Sequence, residues 1–114
     1  MKISDIVKVA NARIVTEPPA EDLFLDKAFS SDLMSDVLTL EEENLLLISG
    51  LANVQLIRTA EMAEINVVLL ARGKKATSDM IELANENGLV ILETPFSIYK
   101  TSGLLYSNGL KEVY

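Results

Sequence analysis

The sequence predicts a single α/β domain with a mainly parallel sheet, βαβ crossovers and helices on the sheet faces. Three short apolar runs, at residues 45–48, 67–70 and 89–92, are each followed by a helical pattern. Uninterrupted apolar runs are typical of strands that are buried on both faces, and repeated strand–helix units give parallel strands. A chain of 114 residues supports one core. We therefore expect one domain over residues 1–114, with its best-defined units at 45–109.

The first part of the chain predicts shorter elements. Ser4 is a candidate N-cap for a helix over residues 4–11, and the β-branched residues of 12–15 favour a strand. Two prolines and three acids predict an exposed loop at 17–22. Residues 25–30 follow as a candidate strand, and a helical turn is expected from there to Val37.

The three helices after the apolar runs are predicted from spacing and caps. Asn53 punctuates the turn before the first, Thr77 or Ser78 caps the second, and Gly88 ends it. Thr94 followed by proline is expected to start the last helix. The buried faces are expected to comprise Leu56, Ile57, Ala60 and Ala63; Met80, Ile81, Leu83 and Ala84; and Ile98, Tyr99, Ser102, Leu105 and Tyr106.

Charge and composition exclude several classes of function. A net charge of −7 repels nucleic acid and anionic membranes, so neither is expected as a partner. The absence of Cys and His removes disulfides, thiolate nucleophiles, zinc sites and imidazole catalysis. The N-terminus lacks the apolar core of a signal peptide, and no apolar run is long enough to span a membrane. A cytoplasmic protein is the expectation.

Candidate binding residues lie in the loops that follow the three apolar strands. Parallel sheets bind ligands beyond the carboxyl ends of their strands, where helix N-termini also point. The middle loop combines three cations, a glycine and two hydroxyls, a composition suited to a phosphate or carboxylate. A plain polar turn with helix caps explains the same residues. The predicted ligand-binding residues are Ser49, Gly50, Asn53, Arg72, Gly73, Lys74, Lys75, Thr77, Ser78, Thr94 and Ser97.

No catalytic or cofactor motif is present. The middle loop lacks the glycine spacing of a P-loop, and no dinucleotide-binding fingerprint occurs. Ser49-Gly50 is not a nucleophile elbow, because Leu47 stands where that motif needs glycine. Asp32 and Asp36 lie one helical turn apart, a spacing that suits either a metal or an ordinary exposed surface. We predict no catalytic residue, no metal and no cofactor.

Several stretches resemble the DRTGG domain family. The likeness is carried by residues 29–37, 46–65, 67–73, 78–88 and 92–103, and it extends over nearly the whole chain. The name-giving Asp-Arg-Thr-Gly-Gly string is absent, and its nearest counterpart is the Ile-Arg-Thr-Ala-Glu of residues 57–61. The family is similar to the amino-terminal domain of HPr kinase/phosphorylase and to the domain inserted in CBS-containing pyrophosphatases.

The resemblance implies a regulatory module without a kinase active site, which forms dimers and accompanies a partner enzyme or kinase. Together with the loops, it leads to a non-catalytic homodimer that senses a small anionic or nucleotide-like ligand. Two alternatives stay open. One is a structural domain that assembles with itself or with a partner enzyme, and the other is an enzyme that uses hydroxyl or carboxylate groups.

Overall fold

Four strands of the computed structural model, which describes residues 1–114, run parallel in one five-stranded sheet. The strands are β1 (Arg13–Ile14), β2 (Lys27–Ser30), β3 (Leu45–Ser49), β4 (Val67–Leu70) and β5 (Val90–Glu93). The helices are α1 (Ile3–Val9), α2 (Met34–Val37), α3 (Val54–Met62), α4 (Ser78–Glu86) and α5 (Ile98–Ser107). The predicted α/β class and mainly parallel sheet are confirmed.

The strand order is β1-β5-β4-β3-β2, and only β1 runs antiparallel to its neighbour. The three apolar runs form the centre of the sheet, where every residue of β3, β4 and β5 is buried. Their register places Leu47 beside Val68 and Val68 beside Ile91. The sheet therefore has one edge to which the carboxyl ends of β2, β3, β4 and β5 all point.

The two faces of the sheet are covered unequally. From β2 to β5, each strand along the chain lies next to the previous one, always in the same direction across the sheet. Right-handed crossovers therefore place α2, α3 and α4, which connect these strands, on the same face. This face holds the core around Leu47, Ile57 and Met80. The opposite face has only α1 and α5, which pack Ile6 and Leu105 against Ile48 and its neighbours.

Helix α1 begins one residue earlier than predicted, so Ser4 is not its N-cap. Lys2 is the cap, and its backbone N–H donates to the Asp5 carboxylate at 3.1 Å, which places an anion at the positive end of the helix. Ser4 instead donates its hydroxyl to Asp22 at 2.6 Å. The side chain thus ties α1 to the loop that precedes β2, a long-range contact that the local pattern does not contain.

Helix α5 also differs from its prediction. It begins at Ile98, and Ser97 caps it by accepting from the Lys100 N–H at 3.0 Å. Thr94 is therefore not the cap. Tyr99 and Tyr106, which were expected on the inner face, are exposed, while Thr101 and Leu105 are buried. None of the five helices has the length and apolarity needed to cross a lipid bilayer.

Candidate functional site

The three loops predicted to bind a ligand meet at the carboxyl edge of the sheet. The Arg72 N–H donates to the Phe96 carbonyl at 2.7 Å, and the Gly73 N–H donates to the Thr94 carbonyl at 3.1 Å. The Arg72 guanidinium donates from Nη2 to the Gly50 carbonyl at 3.0 Å. Loops 49–53, 72–78 and 94–97, which we call the carboxyl rim, therefore form one connected surface.

The contact between the Arg72 guanidinium and Gly50 depends on the absence of a side chain at position 50. A Cβ atom there would collide with the guanidinium, which would have to move away from Gly50. Arg72 itself has φ of +64°, a left-handed conformation that is uncommon for residues other than glycine. The preceding Ala71 N–H donates to the Ser49 carbonyl at 2.8 Å, which helps to hold this conformation.

Asp32 fixes the first loop of the rim. Its Oδ1 atom accepts from the Ser49 hydroxyl and from the Gly50 N–H, both at 2.7 Å. Burial raises the pKa of Asp32, but these two hydrogen bonds and the positive charge of Arg72 outweigh burial and hold its pKa below the ordinary value. Asp32 is therefore ionised at neutral pH, and its Oδ1 atom is engaged by the first loop of the rim, whereas Asp36 lies in α2.

Glu93 fixes the second loop. Its carboxylate is 4% exposed and accepts from Arg13 Nη2 at 3.0 Å and from the Ala76 N–H at 2.7 Å. Lys75 Nζ lies 3.6 Å from the same carboxylate. Of the three cations in this loop, Lys75 is thus paired internally and Arg72 is bonded to Gly50, whereas Lys74 is exposed and forms no ion pair.

Three of the six predicted hydroxyl and amide residues, Asn53, Thr77 and Ser97, are helix caps. Asn53 accepts from the Leu56 N–H at 3.0 Å and Thr77 from the Met80 N–H at 3.2 Å. Thr94 is buried, and its hydroxyl donates to the Ala10 carbonyl at 2.6 Å while accepting from the Phe96 N–H. Ser78 is the exposed first residue of α4. Ligand binding by these residues stays a prediction.

The sequence interpretation did not identify Asp32 and Glu93 as site residues. Their positions in the sequence could have indicated them, because Asp32 follows the end of β2 and Glu93 is the last residue of an apolar strand. A carboxylate at either position is brought to the carboxyl edge by the sheet. No cluster of three or more side chains suited to a metal ion occurs in the structure.

No protein-family model matches the chain, and no curated protein matches it in sequence. Among solved structures, it is similar to the CBS and DRTGG domains of the regulatory region of Clostridium perfringens pyrophosphatase, in complex with the activator diadenosine tetraphosphate. The TM-score is 0.78 at 16% sequence identity, over 90% of this chain and 45% of that chain. The chain thus spans less than half the length of that chain, and the likeness shows a shared fold, which agrees with the DRTGG-like domain expected from the sequence.

Proposed function

We propose that this protein is a non-catalytic regulatory module that senses a small anionic, nucleotide-like ligand at the carboxyl rim. The observation that carries the proposal is that most hydrogen-bond donors of Arg72 are unused. Its side chain is exposed and uses Nη2 for one hydrogen bond to Gly50, although a guanidinium has five N–H donors. The remaining donors form a planar fork that suits the oxygens of a phosphate.

A bound phosphate would change the contacts that connect the rim. The Arg72 guanidinium donates to the Gly50 carbonyl, and its positive charge helps to lower the pKa of Asp32. An anion that binds this guanidinium therefore competes with Gly50 and Asp32 for it. Lys74 lies two residues away, and its ammonium group, which forms no ion pair, can contact the same anion. Ligand binding would therefore be coupled to the positions of loops 49–53 and 72–78, which is what a sensing module requires.

The structural likeness supports the regulatory part of the proposal. The similar region of the clostridial pyrophosphatase is regulatory and is found with diadenosine tetraphosphate, an anion of the class proposed here. The buried position of Ser49 supports a non-catalytic role, because its hydroxyl already donates to Asp32 and has no access to a substrate. A cytoplasmic location remains part of the proposal.

We expect diadenosine tetraphosphate or ATP to raise the melting temperature, because a ligand that binds only the folded state stabilises it. Arg72→Gln and Lys74→Gln should each weaken binding about tenfold, equivalent to about 1.4 kcal/mol. Thermal-shift titrations measure the effect, with inorganic phosphate and acetyl phosphate as smaller anions. Lys8→Gln, which removes an exposed cation of α1, is the matched control. The proposal is contradicted if none of these anions raises the melting temperature. It is also contradicted if the increase persists in the Arg72/Lys74 double variant.

A second candidate function, a protein–protein interaction domain, is favoured by a surface on the amino-terminal side of β3. Leu38 and Met62 are exposed there and line a shallow depression together with acidic side chains. The acids are Glu41, Glu42, Glu43 and Glu64. Apolar side chains surrounded by polar ones are typical of interaction sites.

If this surface joins two copies of the chain in the predicted homodimer, we expect salt to strengthen the dimer, because it screens the facing carboxylates. Leu38→Ser with Met62→Ser should convert the dimer to a monomer, whereas Tyr114→Ser, which removes another exposed apolar side chain, should not. Size-exclusion chromatography with light scattering gives the measurement. A monomer of the unaltered protein at high micromolar concentration would exclude self-assembly.

A further inference from the structure

The unequal covering of the sheet leaves a groove beside the edge strand β2. On the face with only two helices, α5 packs over β3, and its Ser102 hydroxyl reaches the Ser30 hydroxyl of the edge strand β2. The space between α5 and β2 has a volume of about 520 Å³, with Ala28, Ile48 and Leu105 among its lining residues. We call this space the α5–β2 groove. Its volume lies in the range of small-molecule binding sites, roughly 300–1,000 Å³.

Helix α5 presents a notch to this groove. Tyr99, Gly103 and Tyr106 all line the groove, at spacings of four and three residues that place them on one helix face. The tyrosines are 90% and 57% exposed, and a Cβ atom added to Gly103 would meet nothing within 4 Å. Glycine in a helix interior is less stable than alanine, so packing within this chain does not account for it. The notch provides space for a flat group between two aromatic rings.

The polar groups of the groove favour an anion. Lys100 Nζ lies 3.9 Å from the centroid of the Phe96 ring, and Lys111 Nζ lies 5.7 Å from that of Tyr106. Neither lysine belongs to an ion pair, and Glu112 is the one carboxylate that lines the groove. The groove therefore carries a local excess of positive charge on a chain whose net charge is −7.

An organic anion complements both features of the groove, its apolar lining and its two unpaired lysines. A second copy of the chain is the competing occupant, and a dimer that is sensitive to Gly103→Ala would reveal it. We propose that the α5–β2 groove, which lies outside the loops of the carboxyl rim, binds a small molecule with a flat apolar or aromatic body and a carboxylate, sulfonate or phosphate group.

In this arrangement the flat body lies over Gly103 between Tyr99 and Tyr106, and the anionic group contacts Lys100 or Lys111. The Ser30 and Ser102 hydroxyls, which are 2.7 Å apart, bridge β2 and α5 in the same groove and offer a polar contact between the two ends. A few polar groups within an apolar lining are the composition that fixes the orientation of a ligand.

The test uses 8-anilinonaphthalene-1-sulfonate and its neutral analogue N-phenyl-1-naphthylamine, whose fluorescence reports binding to apolar sites. The intact protein should bind the sulfonate with one-to-one stoichiometry and at least tenfold more tightly than the neutral dye. Adenosine 5′-monophosphate and an aromatic carboxylate such as indole-3-acetate are then tested as competitors, which shows whether the phosphate or the carboxylate is preferred.

Gly103→Ala should raise the melting temperature through helix propensity and yet weaken dye binding at least fivefold, because its methyl group fills the notch. The double variant Lys100→Gln/Lys111→Gln should bind the sulfonate dye about as weakly as it binds the neutral dye. The control variant Lys8→Gln should bind the sulfonate dye as tightly as the unaltered protein does. Equal binding of the two dyes, or unchanged sulfonate binding in the Gly103 and lysine variants, would overturn the proposal. A dimer that Gly103→Ala dissociates would overturn it as well, because the occupant would then be a second copy.

Discussion

Glu93→Ala is expected to lower the free energy of unfolding by about 2–3 kcal/mol, because hydrogen bonds to buried charged groups each contribute about 1.5–3 kcal/mol. The substitution removes the acceptor of the Ala76 N–H and the partner of Arg13 and Lys75. The side chains of Arg13 and Lys75 are solvent-accessible, so water hydrates them when the carboxylate is removed. The decrease in unfolding free energy therefore stays below that for breaking a fully buried ion pair.

Urea unfolding followed by circular dichroism measures this loss. Glu93→Gln retains an oxygen that can accept from Ala76 and should cost about half as much. Glu61→Ala changes an exposed carboxylate on α3 and should stay within about 0.5 kcal/mol of the unaltered protein. A Glu93→Ala protein as stable as the Glu61→Ala protein would show that the carboxylate does not hold loop 72–78.

Asp32→Ala is expected to lower the free energy of unfolding by about 1–2 kcal/mol at neutral pH. The Ser49 hydroxyl and the Gly50 N–H are buried, and the substitution leaves both without their acceptor. The side chain of Asp32 is itself accessible to water, which keeps the expected loss at the lower end for a charged acceptor.

The contribution of Asp32 should also depend on pH. The folded pKa is lowered, so below the unfolded aspartate value of about 3.9 the unfolded chain binds protons more readily than the folded one. The stabilisation is therefore fully present above the unfolded pKa and is lost as the pH falls through the folded pKa. Asp32→Asn should flatten the decline of stability as the pH falls below about 4.

Asp22→Asn is the matched comparison for the pH profile. The Ser4 hydroxyl and the Ser4 backbone N–H both donate to the Asp22 carboxylate, and these hydrogen bonds lower the pKa of Asp22, although the group is fully exposed. The double variant with Asp32→Asn should have the flattest acid limb. An Asp32→Asn profile that superimposes on that of the unaltered protein would contradict the role given to Asp32.

Much of the rim could be anticipated from local sequence. Asn53 and Thr77 were expected at helix starts, and both accept the backbone hydrogen bonds that define a cap. Loops 49–53, 72–78 and 94–97 were expected at one edge because parallel strands direct their carboxyl ends the same way. The role of Thr94 was not predictable, because its hydroxyl is committed to the Ala10 carbonyl, 84 residues away in sequence.

The sequence by itself determined the class and order of the central elements. An uninterrupted apolar run such as residues 67–70, bounded by turn residues, is typical of a strand with both faces covered, and this information is local. The tertiary structure alone decided which charges are free. Lys75 pairs with Glu93 and Arg72 uses one of its donors on the Gly50 carbonyl, so the basic loop offers fewer unpaired cations than its composition indicates. It also decided where the surface opens, because the groove beside β2 arises from the direction of the crossovers and not from any single segment.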